Sequence, residues 1–194
     1  ETFNAAGKKW GQEVHKIGLL PSTDDAAAVA SFLLKTPGLD KALIGEYISK
    51  GPVDRYPFNG EVLKEFCTSF SFAGTQFDTA LRTFLLAFRL PGEAQCIDRL
   101  MEAFSAELFK QWRDHEAAAR ASAADAAPDG GDGDSGGGGG AAAAGGATDG
   151  EARSEWAGPF ANADAVFVLS FSTIMLQTDL HNVGIPPEKK MKVE

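Results

Sequence analysis

Glu93 is the acidic residue best placed to do chemistry, because it follows Pro91 and Gly92 in the string LPGEAQ. Proline lacks a backbone donor and glycine favours unusual dihedral angles, so the pair predicts a short, stiff loop between two helices. A carboxylate at the start of the second helix is favoured by the positive end of the helix dipole. Spacing alone leaves two interpretations: Glu93 caps that helix, or it is a functional carboxylate carried by the loop.

A hydrolase with paired carboxylates would need a second acid that converges on Glu93. Asp98 lies five residues further on with no convergent group beside it, so a hydrolase is the weakest alternative. Asp179 and His181 are two positions apart on a predicted helix, and such positions do not face each other. We therefore predict no shared catalytic or metal site for that pair.

The cysteines and the other histidines also lack the spacing of a metal or redox site. Cys67 and Cys96 fall within apolar helical patterns, which predicts reduced thiols in a cytosolic protein. His15 and His115 have no partners at ligand spacing. The sequence thus predicts no cofactor and no metal.

The elements that carry Glu93 are two segments with apolar stripes at helical spacing. Residues at i, i+4, i+7, i+8 and i+11 lie on one side of an α-helix, so this spacing predicts a helix that buries that side. The stripe before the loop consists of Phe77, Leu81, Phe84, Leu85 and Phe88, and the stripe after it of Ile97, Leu100, Met101, Phe104 and Leu108.

Composition limits the class of protein. The chain has 194 residues, 44% of them apolar, and 14 phenylalanines, which is enough for one domain with a substantial core. The formal charge of -9 argues against nucleic acid and against direct docking on an anionic membrane. We find no signal peptide and expect the apolar runs to be too short for a membrane span.

Further amphipathic segments predict short helices along the N-terminal half of the chain. A polar residue just before such a segment can accept a hydrogen bond from its first N–H groups. The predicted segments are 3–20, with Trp10, Val14, Ile17 and Leu20 on one side; a helix ending at Lys35 and capped by Ser22 or Thr23; 41–50, capped by Asp40; and 62–70.

Residues 117–158 differ in composition from the rest of the chain. They consist mainly of Ala, Gly, Ser and Asp, with five consecutive glycines at 136–140. Such a tract cannot bury enough apolar surface to offset its chain entropy, and closure entropy grows slowly with length. We predict a disordered insertion at 117–158 between an N-terminal part, 1–116, and a C-terminal part, 159–194, of one domain.

The segment after the insertion predicts one more helix, with Asp164 as its N-cap. Its side chains divide into two faces. The predicted core face consists of Val166, Leu169, Thr173, Leu176 and Leu180. The second face mixes apolar and polar groups, as a groove wall would, and consists of Asp164, Val168, Phe171, Ser172, Met175, Asp179 and Asn182. A helix buried on most sides is an equally consistent interpretation.

Two stretches before the insertion resemble a known family. FRLPGEAQCIDR, around Glu93, closely resembles the first signature of the Sec7 domain, the catalytic module of exchange factors for Arf-type small GTPases. FLLKTPGLDKALIGEYIS resembles a block near the start of that domain. The resemblance implies that Glu93 is the glutamic finger, the carboxylate that drives nucleotide out of the GTPase.

The segment DAVFVLSFSTIMLQTDLHN resembles the second signature of the same family, a helix that lines the groove for the GTPase switch regions. The resemblance implies GTPase contacts on the second face of the predicted helix, at Asp164, Phe171, Ser172, Met175, Asp179 and Asn182. It also implies partial sensitivity to the inhibitor brefeldin A, judged from Phe171, Ser172, Asp179 and Met191.

The chain departs from the family pattern in three places. Gln177 stands where asparagine is usual and Val183 where proline is usual. Gln177 projects away from the proposed groove face, so we expect it to affect packing more than catalysis. The family usually has a short connection in place of the insertion, and about two further helices follow the motif that GIPPEKKMKVE resembles, so the domain looks truncated.

The resemblance implies an all-α domain, a right-handed stack of short helices with a hydrophobic groove, lacking its last helices. It implies guanine-nucleotide exchange on a GDP-bound Arf-family GTPase without covalent chemistry. The expected location is the cytoplasm, with recruitment to Golgi or endosomal membranes only indirectly, through the GTPase or other domains of the parent protein. The alternative is a non-catalytic helical scaffold that binds a GTPase or a partner helix in the same groove.

Overall fold

The computed structural model describes residues 2–5, 10–125, 160–181, 184, 186 and 190. These residues form eight α-helices and no β-strand, which confirms the predicted all-α class. The helices are α1 (Thr2–Ala5), α2 (Trp10–Lys16), α3 (Ala26–Lys35), α4 (Lys41–Ile48), α5 (Pro57–Thr68), α6 (Phe77–Leu86), α7 (Ala94–Asp125) and α8 (Ala163–His181).

Acidic and amide side chains cap three of these helices. Asp40 accepts a hydrogen bond from a backbone N–H of α4 at 2.8 Å, as predicted. Asp25 accepts one from α3 at 3.0 Å, and Asn162 accepts one from α8 at 2.8 Å. Each cap is the residue immediately before the first helical residue, where its oxygen can reach the unpaired N–H groups of the first turn.

Three predicted helix starts, those of α3, α5 and α8, were wrong. Ser22 and Thr23 do not cap α3, and the Ser22 hydroxyl instead accepts the N–H of Asp24 at 3.2 Å in the preceding turn. Asp164 lies inside the first turn of α8 instead of before it. Helix α5 begins at Pro57, five residues before the predicted start at 62, because the fixed φ of proline suits the first helical position.

The core is built from phenylalanines that α5, α6 and α7 bring together. Phe84 lies at its centre, 5.0 Å from Phe88 and 5.0 Å from Phe104 between ring centroids. Phe66 lies 6.3 Å from Phe84, and all four side chains are at most 3% exposed. The two helices that flank the Glu93 loop thus share one packed aromatic cluster.

Most of the two predicted stripes is buried, which confirms them. The buried members are Leu81, Phe84, Phe88, Leu100, Met101, Phe104 and Leu108. Phe77, Leu85 and Ile97 are half-buried. Phe77 and Leu85 line a cleft beside α8, which explains their partial exposure.

Ile17 is the exception in the predicted N-terminal stripe, since its side chain is 58% exposed while the other three members are buried. Helix α2 ends one residue earlier, at Lys16, and Gly18 then adopts a φ of 76°. Helical spacing no longer applies beyond that turn. Leu20 reaches the core after the turn and not as part of the helix face.

Helix α7 has 32 residues and continues to Asp125, past the predicted domain boundary at 116. The expectation that the insertion begins at 117 was wrong for residues 117–125, because alanine has the highest helix propensity of all residues. An ion pair between Glu116 and Arg120, 2.7 Å long and one turn apart, adds a small stabilisation there. Residues 126–158 of the predicted insertion lie outside the described residues.

Phe160, the first described residue after Asp125, packs against the middle of α7. The Phe160 ring stacks on Trp112 with centroids 6.1 Å apart and an interplanar angle of 7°. It also lies 5.7 Å from the ring of Phe77 at the start of α6. These contacts fix where α8 begins relative to α6 and α7.

Candidate functional site

Glu93 is exposed and stands immediately before the first residue of α7. Its carbonyl oxygen accepts hydrogen bonds from the N–H groups of Cys96 and Ile97 at 3.0 and 3.2 Å, so its backbone starts the helix. Its carboxylate lies 3.8 Å from the Cys96 thiol and, among the described contacts, accepts no backbone N–H. Capping by the side chain, the first interpretation of Glu93, therefore receives no support from the geometry.

The 87–93 loop, which joins α6 to α7, is held close to the core just before Glu93. Phe88 is 3% exposed and meets two core phenylalanine rings at 5.0 and 6.0 Å. The N–H of Arg89 donates to the carbonyl oxygen of Lys41, at the start of α4, at 2.9 Å. The loop backbone is thus fixed while the Glu93 carboxylate remains in water.

Helix α8 runs along α7 in the opposite direction and approaches the 87–93 loop. Near its start, Ala163 lies across a cleft from Ser105 in the middle of α7. About three turns later, Ile174 lies across a second cleft from Leu90, three residues before Glu93. The fold therefore brings the two sequence signatures, which are far apart in the chain, to one side of the molecule.

The first cleft, between α7 and α8, has a volume of about 460 Å³ and an acidic lining. Asp98 and Glu102 of α7 face Asp164 of α8 across it. Ser105 also lines it, is 1% exposed, and its hydroxyl has no hydrogen-bond partner among the described residues. Three carboxylates around one opening favour a positively charged group on any partner that enters it.

Sequence reasoning missed the α7 side of this cleft. Asp98 was considered only as a second acid for Glu93, and Glu102 and Ser105 were not considered. The signal was present, because these three residues recur at i, i+4 and i+7 and so form one polar face of α7. It was hidden by the stronger apolar stripe on the other side of the same helix.

The second cleft, between α6 and α8, has a volume of about 440 Å³ and is lined mainly by apolar groups, among them Leu81, Leu85 and Leu90. Gln177 lines this cleft and is exposed. It therefore lies on a different side of α8 from Met175, as the sequence predicted.

The buried face of α8 is not the predicted one. Val166, Ser170 and Ile174 are buried, whereas four of the five predicted core residues are exposed. Those four are Leu169, Thr173, Leu176 and Leu180. At 3.6 residues per turn, the true buried face is rotated by about 80° from the predicted one.

Ser170 is the polar residue of the buried face. Its hydroxyl donates to the Val166 carbonyl oxygen at 2.7 Å, so the polar group is satisfied within its own helix and can be buried. A hydrophobicity pattern assigns serine to the surface and cannot detect this arrangement.

We call the predicted groove face the outer wall of α8. Asp164, Ser172 and Met175 are exposed on it. Phe171 is half-buried, with its ring 5.9 Å from that of Phe167. Asp179 is half-buried and engaged in a contact, and Asn182 lies outside the described residues.

Helix α8 is also long and apolar enough to cross a membrane by length and composition, although the apolar run was expected to be too short. One such helix is a weak indication, because core helices of soluble proteins pass the same test.

Within residues 2–5, 10–125 and 160–181, no three His, Cys, Asp or Glu side chains are grouped as metal ligands. Cys67 and Cys96 are free thiols. Burial raises the pKa of the Cys67 thiol, and the charge of Glu107 raises it further. Cys67 is thus an inert core residue.

Comparison with known proteins identifies the fold. The sequence model of the Sec7 domain matches residues 1–194, the whole chain. The chain belongs to the Sec7 domain family. This Sec7 domain is 35% identical over 189 residues to an ankyrin repeat, PH and SEC7 domain containing protein, secG, of Dictyostelium discoideum, covering 97% of the chain and 14% of that protein.

It is also 36% identical over 181 residues to the ARF guanine-nucleotide exchange factor GNL2 of Arabidopsis thaliana, covering 93% of the chain and 10% of that protein. The Sec7 domain thus spans less than a sixth of the length of these two relatives.

Solved structures agree with this assignment. The crystal structure of the Sec7p catalytic domain is similar with a TM-score of 0.64 and 31% identity, covering 98% of the chain and 75% of that structure. A structure of ARF1-GDP bound to a Sec7 domain complexed with brefeldin A is similar with a TM-score of 0.64 and 31% identity, covering 95% of the chain and 69% of that structure. The resemblance inferred from the two signatures is therefore confirmed.

Proposed function

We propose that this Sec7 domain accelerates GDP release from an Arf-family GTPase, with Glu93 as its glutamic finger. The observation that carries the proposal is the exposed Glu93 carboxylate on a loop whose backbone is held against α4 and the core. The names of the Arabidopsis relatives, ARF exchange factors GNL2 and GNOM, support the choice of partner. So does the similar solved Sec7 domain with ARF1-GDP bound.

The proposed mechanism is displacement. A GTPase holds its nucleotide through Mg²⁺, a lysine and backbone amides around the phosphates. The Glu93 carboxylate competes with the phosphate for these positive groups and repels the phosphate itself. No covalent bond forms or breaks, and no cofactor of the Sec7 domain takes part.

The size of this repulsion is sufficient for a large rate effect. Two unit charges about 4 Å apart at an effective dielectric constant of about 20 interact by about 4 kcal/mol. Each tenfold increase in rate requires about 1.4 kcal/mol, so one carboxylate can supply about three orders of magnitude. Rearrangement of the GTPase switch regions would supply the rest.

The outer wall of α8 and the acidic cleft are proposed to hold the GTPase during this step. Exposed Met175 offers apolar area to the switch regions, and Phe171 and Ser172 lie beside it on the wall. Asp164, at the acidic cleft, suits a basic group on the GTPase. Asp179 and Asn182 are proposed to contact the GTPase further along.

The proposed place of action is the cytoplasmic face of Golgi or endosomal membranes. The formal charge of -9 disfavours direct binding to anionic lipids, so recruitment would be indirect, through the GTPase or other domains of the parent protein.

The alternative, a scaffold that binds the GTPase without exchange, makes a different prediction in one assay. A panel of Arf-type GTPases is loaded with fluorescent GDP, and release is followed with and without the Sec7 domain, with a Ras-type GTPase as the control. We expect faster release for at least one Arf-type GTPase and none for the control. Binding to an Arf-type GTPase without faster release would support the scaffold and contradict exchange.

A further inference from the structure

We propose that helix α4 is a brace that positions the Glu93 carboxylate, with Lys41 and Arg99 as the two positioning residues. The inference rests on the proposed role of Glu93 and names what controls it. Through its first residue, Lys41, helix α4 contacts the end of α6 and the start of the 87–93 loop, and through its C-terminal cap, Ser49, it contacts the chain after the loop.

At the N-terminal end of α4, Lys41 makes two hydrogen bonds, one to the end of α6 and one to the 87–93 loop. The Lys41 ammonium donates to the carbonyl oxygen of Leu86, the last residue of α6, at 2.6 Å. The Lys41 carbonyl oxygen accepts the N–H of Arg89 at 2.9 Å. A cation on the last carbonyl groups of a helix is electrostatically favoured, so the ammonium both fixes and terminates α6.

Gly45, one turn further along α4, lies directly under the loop. A Cβ atom added there would collide with the carbonyl oxygen of Arg89, which is backbone and cannot rotate away. The loop therefore lies on α4 at a distance that only glycine permits. This contact makes α4 the surface on which the loop rests.

At its C-terminal end, α4 contacts Arg99 of α7, the helix that follows the loop. The Arg99 Nε donates to the carbonyl oxygen of Ser49, the C-cap of α4, at 2.8 Å. The Arg99 Nη2 lies 3.4 Å from the Cys96 thiol, which in turn lies 3.8 Å from the Glu93 carboxylate. Arg99 thus links α4 to the first turn of α7, beside Glu93.

Arg99 is itself held in place. A Cβ atom at Gly51 would lie 2.5 Å from the Arg99 Nε, so the guanidinium lies against bare backbone. A planar guanidinium donates in two directions at fixed angles, towards Ser49 and towards Cys96, which an ammonium cannot reproduce. Replacement by lysine therefore keeps the charge and loses one of the two ties.

Contacts on both sides of the loop matter because the Glu93 carboxylate repels the phosphate effectively only at the correct distance from it. A misplacement of about 1 Å can cost about a hundredfold in rate. Arg99 is half-buried behind the loop and Lys41 is bonded to Leu86, so both are expected to act through Glu93 and not on the nucleotide.

A double-mutant cycle on GDP release tests the brace. Arg99→Ala and Lys41→Met are each made in the wild-type protein and in Glu93→Gln, and kcat and KM for the GTPase are measured separately. In the wild type we expect Arg99→Ala to lower kcat about tenfold and Lys41→Met about threefold, with KM changed less than about twofold. In Glu93→Gln neither substitution should lower kcat further, because nothing is left to position.

The matched control is Arg120→Ala, which removes an arginine from an exposed ion pair at the other end of the same helix. It should leave kcat and KM unchanged. If Arg99→Ala does not fold, Arg99→Lys replaces it, and we expect a smaller decrease in kcat that is again absent in Glu93→Gln.

Equal factors of loss in the wild type and in Glu93→Gln would overturn the brace while leaving the role of Glu93 intact. An unchanged kcat in Arg99→Ala and Lys41→Met would do the same. A Glu93→Gln variant as fast as wild type would instead contradict the proposed function, and the brace with it.

Discussion

The 87–93 loop and the outer wall of α8 are the two parts of the proposed site, and they are built in opposite ways. The loop exposes two charged side chains, Arg89 and Glu93, and short contacts to Lys41 and the core fix the backbone before Glu93. The outer wall exposes a broad, mixed surface in which Val168 is 60% and Met175 41% exposed. The proposed activity of the loop depends on one carboxylate, that of Glu93, whereas the outer wall of α8 offers a broad contact surface.

This difference sets how each region responds to substitution. The charge of Glu93 acts by its position, so we expect its removal to abolish most of the acceleration of GDP release that the loop provides. A contact surface acts by the sum of many small contributions, most of which change binding by little when truncated singly.

The largest effect is expected for Glu93→Gln, which keeps the size of the side chain and removes its charge. GDP release should slow about tenfold or more, while the melting temperature stays nearly constant because the side chain is exposed. Stopped-flow nucleotide release and thermal melting on the same samples measure both. Glu93→Lys should in addition prolong the complex with the GDP-bound GTPase, because its ammonium attracts the phosphate.

The capping interpretation makes the reverse prediction for these variants. Loss of a helix cap costs about 1 kcal/mol of folding stability and would leave exchange nearly intact. Wild-type exchange rates in Glu93→Gln would therefore exclude Glu93 as the finger.

A moderate effect is expected for Met175→Ala on the outer wall. Loss of apolar contact area should raise KM for the GTPase about three- to tenfold with little change in kcat. Leu176→Ala is the matched control, because Leu176 is 37% exposed and adjacent in sequence but lies off the outer wall. A similar rise in KM for Leu176→Ala would show that the contact surface is not confined to the outer wall.

A smaller change is expected from Phe171→Tyr in the response to brefeldin A. The added hydroxyl can meet the polar edge of the inhibitor, and one net hydrogen bond corresponds to about a three- to tenfold lower inhibitory concentration. Phe167→Tyr, one turn earlier on the same helix, is the control and should not change inhibition. An unchanged response of Phe171→Tyr would contradict the assignment of Phe171 to the wall that the inhibitor contacts.

The smallest effect is expected for replacing residues 126–158 by a shorter Gly/Ser linker. The replaced sequence has no apolar stripe to pack against the domain, so melting temperature and exchange rate should both stay within error of wild type. A decrease of several degrees, or loss of most exchange, would show that this segment docks on the domain.

Where the sequence signal was local, the fold could be predicted from it. Pro91 and Gly92 marked the loop, and apolar spacing identified α6 and α7, because strong periodicity and a helix break leave few alternatives. The buried face of α8 could not be predicted, because apolar residues occur on nearly all sides of that helix and the buried face includes a serine, Ser170.

Two other errors have equally specific causes. The end of α7 was placed too early because alanine is common both in low-complexity tracts and in helices, and composition alone does not separate them. The polar face of α7 that carries Asp98 and Glu102 was hidden by the apolar stripe of the same helix, and its position opposite Asp164 depends on the fold.

The length of α7 has a practical consequence for handling this molecule. Its 32 residues extend over about 48 Å, with Glu93 next to the first turn and Asp125 in the last. Phe160 docks on Trp112, so the final 13 residues of α7 carry the chain about 20 Å beyond that docking point. A fluorophore, biotin or surface tether inserted directly after Asp125 would sit at the opposite end of the helix from the carboxylate, which makes it a suitable attachment point for observing single exchange events.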